Sequence, residues 1–424
     1  MTRRVEDPYL RHLFDGTPNN VYSTEVTNLS AGAPGPDLLK LCTDSFTEAT
    51  LHRMEKEKEY AYLFQYGITS GLWEFRQELA KFLTKHYGEE VHREDLILTC
   101  GATHGLQLVM TTFLYPNSVI FVEEVTYMIA LETFKQYPWM KVVPVPITAE
   151  GVDAEALEKI ASREKKKGTW NCSAERPFWA MFYTIPLFHN PTGVTMSEST
   201  CKKVIKIARE LDFVVLCDDV YNLLYYGDDL PPKRLIAYDA EMDGMCGGHV
   251  ISNGSFSKIL APGVRIGWLE LPSRLALILR KSGILLSGGA CNNYMSGIVT
   301  SLLELGLQDK HLSLLKDTFK ERLIALCDAL DKNLPQGCSY RRPKGGYFVW
   351  LELPVSVNST DFNAWCQKKY KIGAFPGHRF SCEGKYHNYL RLGIAFHSRE
   401  VLECSAVKLC SALSEYLVNH HTPS

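Results

Sequence analysis

Between about residues 95 and 270, short apolar runs rich in β-branched residues alternate with segments of helical period, and this alternation constrains the chain more than any other feature. Parallel strands cannot be joined by tight turns, so the pattern demands crossover helices packed on a sheet. The strand candidates are DLILTC (95–100), SVIFVEE (118–124), KVVPVPI (141–147), FWAMFYT (178–184), FVVLCDD (213–219), HVISNGS (249–255) and IGWLEL (266–271). Between two of them, Val204, Ile205, Ala208 and Leu211 mark one face of a helix that covers the sheet. The fold class is α/β.

The flanks read differently. Leu72, Phe75, Leu79 and Phe82 predict an amphipathic helix before the sheet, and residues 293–334 read as long helix with little strand character. The last 85 or so residues mix strand-like YFVWLEL (347–353) and YLRLGIAF (389–396) with a terminal helix carrying Leu402, Ala406, Leu409 and Leu413. A chain of 424 residues is long for one core. The expected organisation is a large domain over 45–300 and a smaller α+β domain built from 1–44 and 301–424. The basic run Arg163 to Lys167 reads most simply as a solvated loop between elements.

Composition narrows the function. Lys plus Arg is 46 against 48 for Asp plus Glu, a net charge of -2, which removes the broad electrostatic footprint of a nucleic-acid binder. The partner is expected to be a small molecule. Thirteen cysteines are scattered singly, without the CxxC or CxxH spacing of a zinc or redox site, so reduced thiols and no metal are expected. The start MTRRVEDPYL has two arginines, no apolar stretch behind them, and acidic residues at once. That favours a cytoplasmic location over a secretory or mitochondrial one, and no long apolar run predicts a membrane span.

In open α/β sheets, ligands bind beyond the carboxyl ends of the strands. After DLILTC comes Gly101-Ala102-Thr103-His104-Gly105, a turn that opens a helix and can hold a phosphate on backbone N–H groups, or can simply turn the chain. Asp218 and Asp219 end an apolar strand, where a carboxylate needs a cationic partner, a helix to cap, or the surface. Lys258 follows another apolar strand in Ser255-Phe256-Ser257-Lys258, with Arg265 seven positions on. A lone lysine is normally solvated, but hydroxyls and an arginine around it suit a phosphorylated ligand. Asn190-Pro191 alone reads as a plain turn, and Tyr127 alone as a core tyrosine.

Taken together, these residues resemble the fold-type I pyridoxal-phosphate enzymes, specifically the class I/II aminotransferases. The matching motifs are Tyr66 within YGITSGLWEFR, GATHGLQ (101–107), HNPTG (189–193), DDVY (218–221), SFSKILAPGVRIGW (255–268) and NYLRLG (388–393), in the family's order through nearly the whole chain. GGYFVWLELP (345–354) is similar to the branch holding aminoadipate, kynurenine and aromatic aminotransferases and the catalytic half of MocR-type regulators. The resemblance implies a large domain with a mostly parallel sheet between helices, a smaller α+β domain, bound pyridoxal 5'-phosphate, and amino-group exchange between an amino acid and a 2-oxo acid through a pyridoxamine form.

It also implies roles. Lys258 condenses with the cofactor aldehyde and later shuttles a proton between the substrate's Cα and the cofactor's C4′. Asp218 pairs with the ring nitrogen. Tyr221 and Asn190 bond the phenolic oxygen, Asn190 lying by the substrate too, and Tyr127 stacks on the ring. The Ala102 and Thr103 amides, Ser255, Arg265 and Ser257 hold the phosphate, joined by Tyr66 from a neighbouring subunit, which makes the working unit a homodimer. Arg391 clamps the substrate α-carboxylate, with Gly32 beside it. An inward arginine in YLRLGIAF otherwise calls for a salt bridge.

The sequence departs from the family at His189, where glutamine is more usual, and at Thr103-His104. Tyr22, Phe64 and Tyr294 are candidates for a side-chain pocket suited to an aromatic or long aliphatic amino acid, and equally for the core. Two other functions fit the same scaffold. A β-lyase uses the same lysine to expel a leaving group, and an effector-binding module needs no turnover. With fewer than about 30 residues ahead of the resemblance and no helix-turn-helix, the module lacks a DNA-reading element.

Overall fold

The structure is a computed structural model that describes residues 25–243, 247–289 and 291–420. Within these, the chain divides into two compact units. One comprises residues 36–317 with 343–346; the other comprises 25–35, 318–342 and 347–420.

The larger unit is built on a seven-stranded sheet. Its strands are β1 (Leu96–Thr99), β2 (Leu114–Glu123), β3 (Lys141–Val145), β4 (Phe178–Thr184), β5 (Val214–Asp218), β6 (Val250–Ser255) and β7 (Gly267–Glu270), in spatial order β1-β7-β6-β5-β4-β2-β3. Pairing is parallel from β3 through β6. β7 runs antiparallel to both β6 and β1. Each expected strand is present, with ends shifted by a few residues at most positions; β4 spans the segment read from sequence.

The helices of this unit are α1 (Cys42–Tyr60), α2 (Trp73–Tyr87), α3 (Ala102–Phe113), α4 (Met128–Lys135), α5 (Ala154–Lys167), α6 (Glu198–Leu211) and α7 (Asn293–Glu304). In α2, Phe75, Leu79 and Phe82 are buried. In α6, Val204, Ile205 and Ala208 are fully buried against Phe121, Phe182 and Val215 of the sheet, while Leu211 is partly buried. Strand alternation turns Phe182 and Val215 to that core, so Tyr183 and Asp218 lie on the opposite face. A side chain of this size buried in the core is worth about 3–5 kcal/mol against alanine. That firmness fixes where the strand ends project.

The basic run is a correction. Arg163 to Lys167 is the last turn of α5, which Asp153 caps at its start, and not a loop. Cations at a helix C-terminus complement its dipole. Glu164 in the middle of the run is buried between Lys141 and Lys167, and Lys165 reaches the carbonyl of Leu211 at 2.8 Å. The long helix also divides, into α7 and α8 (Leu307–Asn333), at Gly306, whose φ of 66° belongs to the left-handed region.

The smaller unit carries a four-stranded sheet, in order β8 (Ser339–Tyr340), β9 (Phe348–Glu352), β11 (Tyr389–Gly393) and β10 (Phe375–Pro376). Helices α9 (Ser359–Tyr370) and α10 (Arg399–His420) complete it, and α10 buries Leu402, Ala406, Leu409 and Leu413. No helix among the described residues is long and apolar enough to cross a membrane.

Candidate active site

The carboxyl ends of β1, β2, β4, β5 and β6 open into one cleft of about 210 Å³. Its lining contains Ala102, Thr103, Tyr127, Asn190, Asp218, Tyr221, Ser255, Ser257, Lys258 and Arg265, ten residues that the sequence motifs single out. They come from five separate segments, and what unites them is that each follows a strand of the same sheet.

One end of the cleft is built for an anion. Gly101 turns β1 into α3 at φ 87°, and a Cβ there would stand 2.8 Å from the Arg265 guanidinium, so only glycine fits. No side chain caps α3, which leaves first-turn N–H groups at Ala102 and Thr103 for a ligand. Across from them, Ser255 Oγ donates to Ser257 Oγ at 2.9 Å, and Arg265 Nη1 donates to the same Ser257 oxygen at 3.2 Å. Arg265 Nη2 is held by the Cys100 carbonyl at 3.1 Å.

Another part of the same lining is built for a cation. Asp218 is buried, and its carboxyl is pushed up to about 6 by burial, against a hydrogen bond from Tyr183 that lowers it. Tyr183 donates that bond to Oδ2 at 2.6 Å. The other oxygen, Oδ1, is buried without a hydrogen-bond partner among the described residues. Such a group costs about 1–3 kcal/mol unless a ligand meets it. Asp219, the next residue, faces away and accepts from Ser252. Tyr183 is the site residue the sequence reading missed. Its signal was a hydroxyl near the end of an otherwise apolar strand, legible only once the register placed it beside Asp218.

Other expected residues lie elsewhere. His189 does not line this cleft: Nε2 stands 3.1 Å from Glu123 and Nδ1 2.8 Å from Thr192 Oγ1, so the departure from glutamine serves a buried bridge. Tyr66 is 83% exposed and outside the cleft of its own chain. Phe64 and Tyr294 are exposed with ring centroids 6.3 Å apart, and Tyr22 lies outside the described residues.

Arg391 and Gly32 belong to the smaller unit, where they meet around one ring. The Arg391 guanidinium carbon sits 3.9 Å from the Phe348 ring centroid, 4.8 Å from Phe380 and 5.3 Å from Phe375, and Nη2 donates to the Ser30 carbonyl at 2.7 Å. A Cβ on Gly32 would come within 3.1 Å of the same Phe348. A salt bridge is therefore not the only reason for an inward arginine here; stacking on aromatic faces supplies another.

An anion cup, a buried carboxylate and a lysine lining one cleft describe a seat for a phosphorylated, protonated aromatic ring. The family described as aminotransferase class I and II matches residues 24–409. The chain belongs to that family. An aromatic-amino-acid aminotransferase of Thermococcus litoralis is 31% identical over 399 residues, 93% of this chain and 89% of that protein. A solved kynurenine aminotransferase of Pyrococcus horikoshii has a TM-score of 0.81 at 29% identity, covering 98% of this chain and 96% of its own. An α-aminoadipate aminotransferase of Thermus thermophilus, solved with N-(5'-phosphopyridoxyl)-L-leucine, has a TM-score of 0.77 at 28% identity, covering 93% and 94%. This aminotransferase is accordingly a fold-type I, pyridoxal-phosphate-dependent transaminase. The cleft fits the cofactor on its own terms, since Asp218 Oδ1 has no hydrogen-bond partner among the described residues and a protonated ring nitrogen would supply one.

Proposed function

We propose that the enzyme moves an amino group between an L-amino acid with an aromatic or long side chain and a 2-oxo acid, with Lys258 as its reacting amine. What carries the proposal is Asp218, a buried carboxylate whose second oxygen has no described partner, in the same cleft as Lys258 and the anion cup. The side-chain preference takes its support from relatives whose names specify aromatic amino acids, kynurenine and α-aminoadipate.

Pyridoxal phosphate, when bound, supplies an aldehyde for the substrate nitrogen and an electron-poor ring for the electrons of the broken Cα–H bond. The chain's residues do the rest. Asp218 Oδ1 accepts the ring N–H and keeps that nitrogen protonated. The Ala102 and Thr103 N–H groups, Ser255, Ser257 and Arg265 hold the phosphate. Tyr127 covers the ring, and Asn190 and Tyr221 donate to its phenolic oxygen. With the cofactor bound, Lys258 Nζ would serve as the base for the substrate's Cα proton and as the acid that returns it, which requires a neutral amine within reach of the reacting carbons. Arg391 receives the α-carboxylate on its planar fork, with Gly32 beside it, and so fixes which Cα bond stands perpendicular to the ring.

The working unit in this proposal is a homodimer. Tyr60, Tyr62, Phe64, Tyr66 and Ile68 are all exposed, a concentration of apolar surface that a lone chain rarely leaves bare. Tyr66 of a second copy then completes the anion cup. A cytoplasmic location accords with twelve free cysteines among the described residues.

The test is a half-reaction screen. Each amino acid is added alone, and loss of the bound cofactor's visible absorbance is followed. One turnover that stalls until a 2-oxo acid is added, confined to a small group of aromatic or long-chain amino acids, supports the proposal. Continuous release of pyruvate and ammonia replaces it with a β-lyase.

A further inference from the structure

Outside the cleft, the fold assembles three soft donors that sequence spacing conceals. Cys100 follows β1, His104 sits in the first turn of α3, and Cys291 precedes α7; their thiol sulfurs and a ring nitrogen of His104 all lie within 4.8 Å of one another. All three residues are half-buried. A second observation points to a ligand: His104 Nε2 is buried and has no hydrogen-bond partner among the described residues.

We propose that Cys100, His104 and Cys291 form a binding site for a soft divalent cation of the zinc class. Two thiolates and an imidazole are the donors such an ion selects. With Zn–S near 2.3 Å and Zn–N near 2.0–2.1 Å, a tetrahedral ion wants its donors about 3.5–3.8 Å apart. A contraction of about 1 Å from the widest separation allowed by the cluster meets that demand. Three protein ligands leave one position for water. The protons balance: each thiol releases one on binding. His104 Nδ1 now accepts from the Cys100 N–H at 3.0 Å, so ligation through Nε2 moves the ring proton to Nδ1 and gives up that bond.

The place matters because the segments that carry the thiols also hold Arg265. The Cys100 carbonyl accepts from Arg265 Nη2 at 3.1 Å. Asn292, next to Cys291, donates to the carbonyls of Val264 and Arg265 at 3.0 and 2.8 Å. An ion bridging Cys100 and Cys291 ties both supports together and changes how Arg265 is presented to the phosphate. This consequence rests on the reading of Arg265 given above; the binding itself does not.

The test uses chelator-stripped holoenzyme dialysed against zinc alone and, separately, cadmium alone, with bound metal counted by elemental analysis and cadmium–thiolate ligation read from its ultraviolet band. About one ion per chain is expected. C100S, C291S and H104Q should each weaken binding roughly tenfold or more, since even second-shell losses cost that much, while C382S, an exposed cysteine elsewhere, should change nothing. Circular dichroism checks that each variant is folded. No stoichiometric ion, or an ion indifferent to all three substitutions, overturns the site. The consequence is read from the cofactor's dissociation rate, which zinc should change in the wild type and leave alone in the C100S/C291S double variant. An unchanged wild-type rate with the ion bound overturns the link to Arg265.

Discussion

Two adjacent carboxyls, Asp218 and Asp219, are both buried and both pushed up to about 6 by that burial, yet only one is turned to the cleft. On the proposed reading a cationic ligand relieves the cost that Asp218 carries, so the cofactor-free chain is where the cost is visible. Its folded pKa lies above the unfolded value of 3.8, so the ionised form is disfavoured in the fold. The penalty is absent at acid pH, develops as pH rises from about 4 to 6, and is full above 6. Cofactor-free Asp218→Asn should therefore match the wild type near pH 4 and exceed it in stability at pH 7.5, by denaturant unfolding at the two pH values. Equal differences at both would mean that the carboxylate is not strained. Tyr183→Phe acts in the opposite sense. It removes the hydrogen bond that lowers the Asp218 pKa, worth about 1.5–3 kcal/mol to a charged acceptor. The acid limb of the half-reaction rate should move up by about one to two pH units. An unmoved limb with a lower plateau would make Tyr183 a packing residue only. Neither Lys258 nor Asp218 stood out alone, since a lone lysine is normally solvated and a strand-end carboxylate can be a cap; the SFSK and DDVY motifs within the family pattern singled them out, and both line the cleft. Tyr183 was not singled out, because a hydroxyl near the end of a buried strand looks like any tyrosine until the register pairs it with Leu216 and so puts Asp218, two residues on, within reach on the same face.

The elements were read well where one physical signal dominated. The seven runs read from sequence gave the seven strands of the larger sheet because most of their residues are buried, with β4 (FWAMFYT) buried along its whole length. The reading failed at α5, where Arg163 to Lys167 looked like a charged loop. There the helix is set by the Asp153 cap and by Leu157 and Ala161 on its inner face, and the lysines merely finish it. The turn between β1 and α3 makes a test at this scale. Gly101 combines a φ of 87° with a Cβ position 2.8 Å from Arg265 Nη2, so Gly101→Ala strains the backbone and displaces the guanidinium together. A strained residue of this kind costs about 1–3 kcal/mol. Cofactor affinity should fall roughly tenfold or more, by titration of the cofactor-free protein. Gly263→Ala is the control, since nothing lies within 4 Å of its added Cβ and its φ is not in the left-handed region. If both variants bind the cofactor as the wild type does, the turn does not shape the cup.

At the scale of the whole molecule, the surface says what one chain lacks. Tyr66 matches a family motif yet stands 83% exposed, outside the cleft it is expected to serve, among other exposed aromatics. Sequence could name Tyr66 but not place it, because the proposed completion of a site by a second copy would leave no signature within one chain. If each cleft takes its tyrosine from the other copy, two differently damaged chains should repair each other. Lys258→Ala leaves a chain with a good Tyr66 and no reacting amine; Tyr66→Ala leaves the amine and spoils the partner's cup. In a hybrid dimer, one cleft receives both defects and the other receives neither. Random mixing makes half the dimers hybrid, and half of their clefts are sound. The mixture should recover about a quarter of wild-type activity at a cofactor concentration where neither variant alone is active. Recovery should require unfolding and refolding the two chains together, or slow exchange. A mixture no more active than the sum of its parts, with dimers shown by sedimentation, would place Tyr66 outside the working site and leave the anion cup to residues of a single chain.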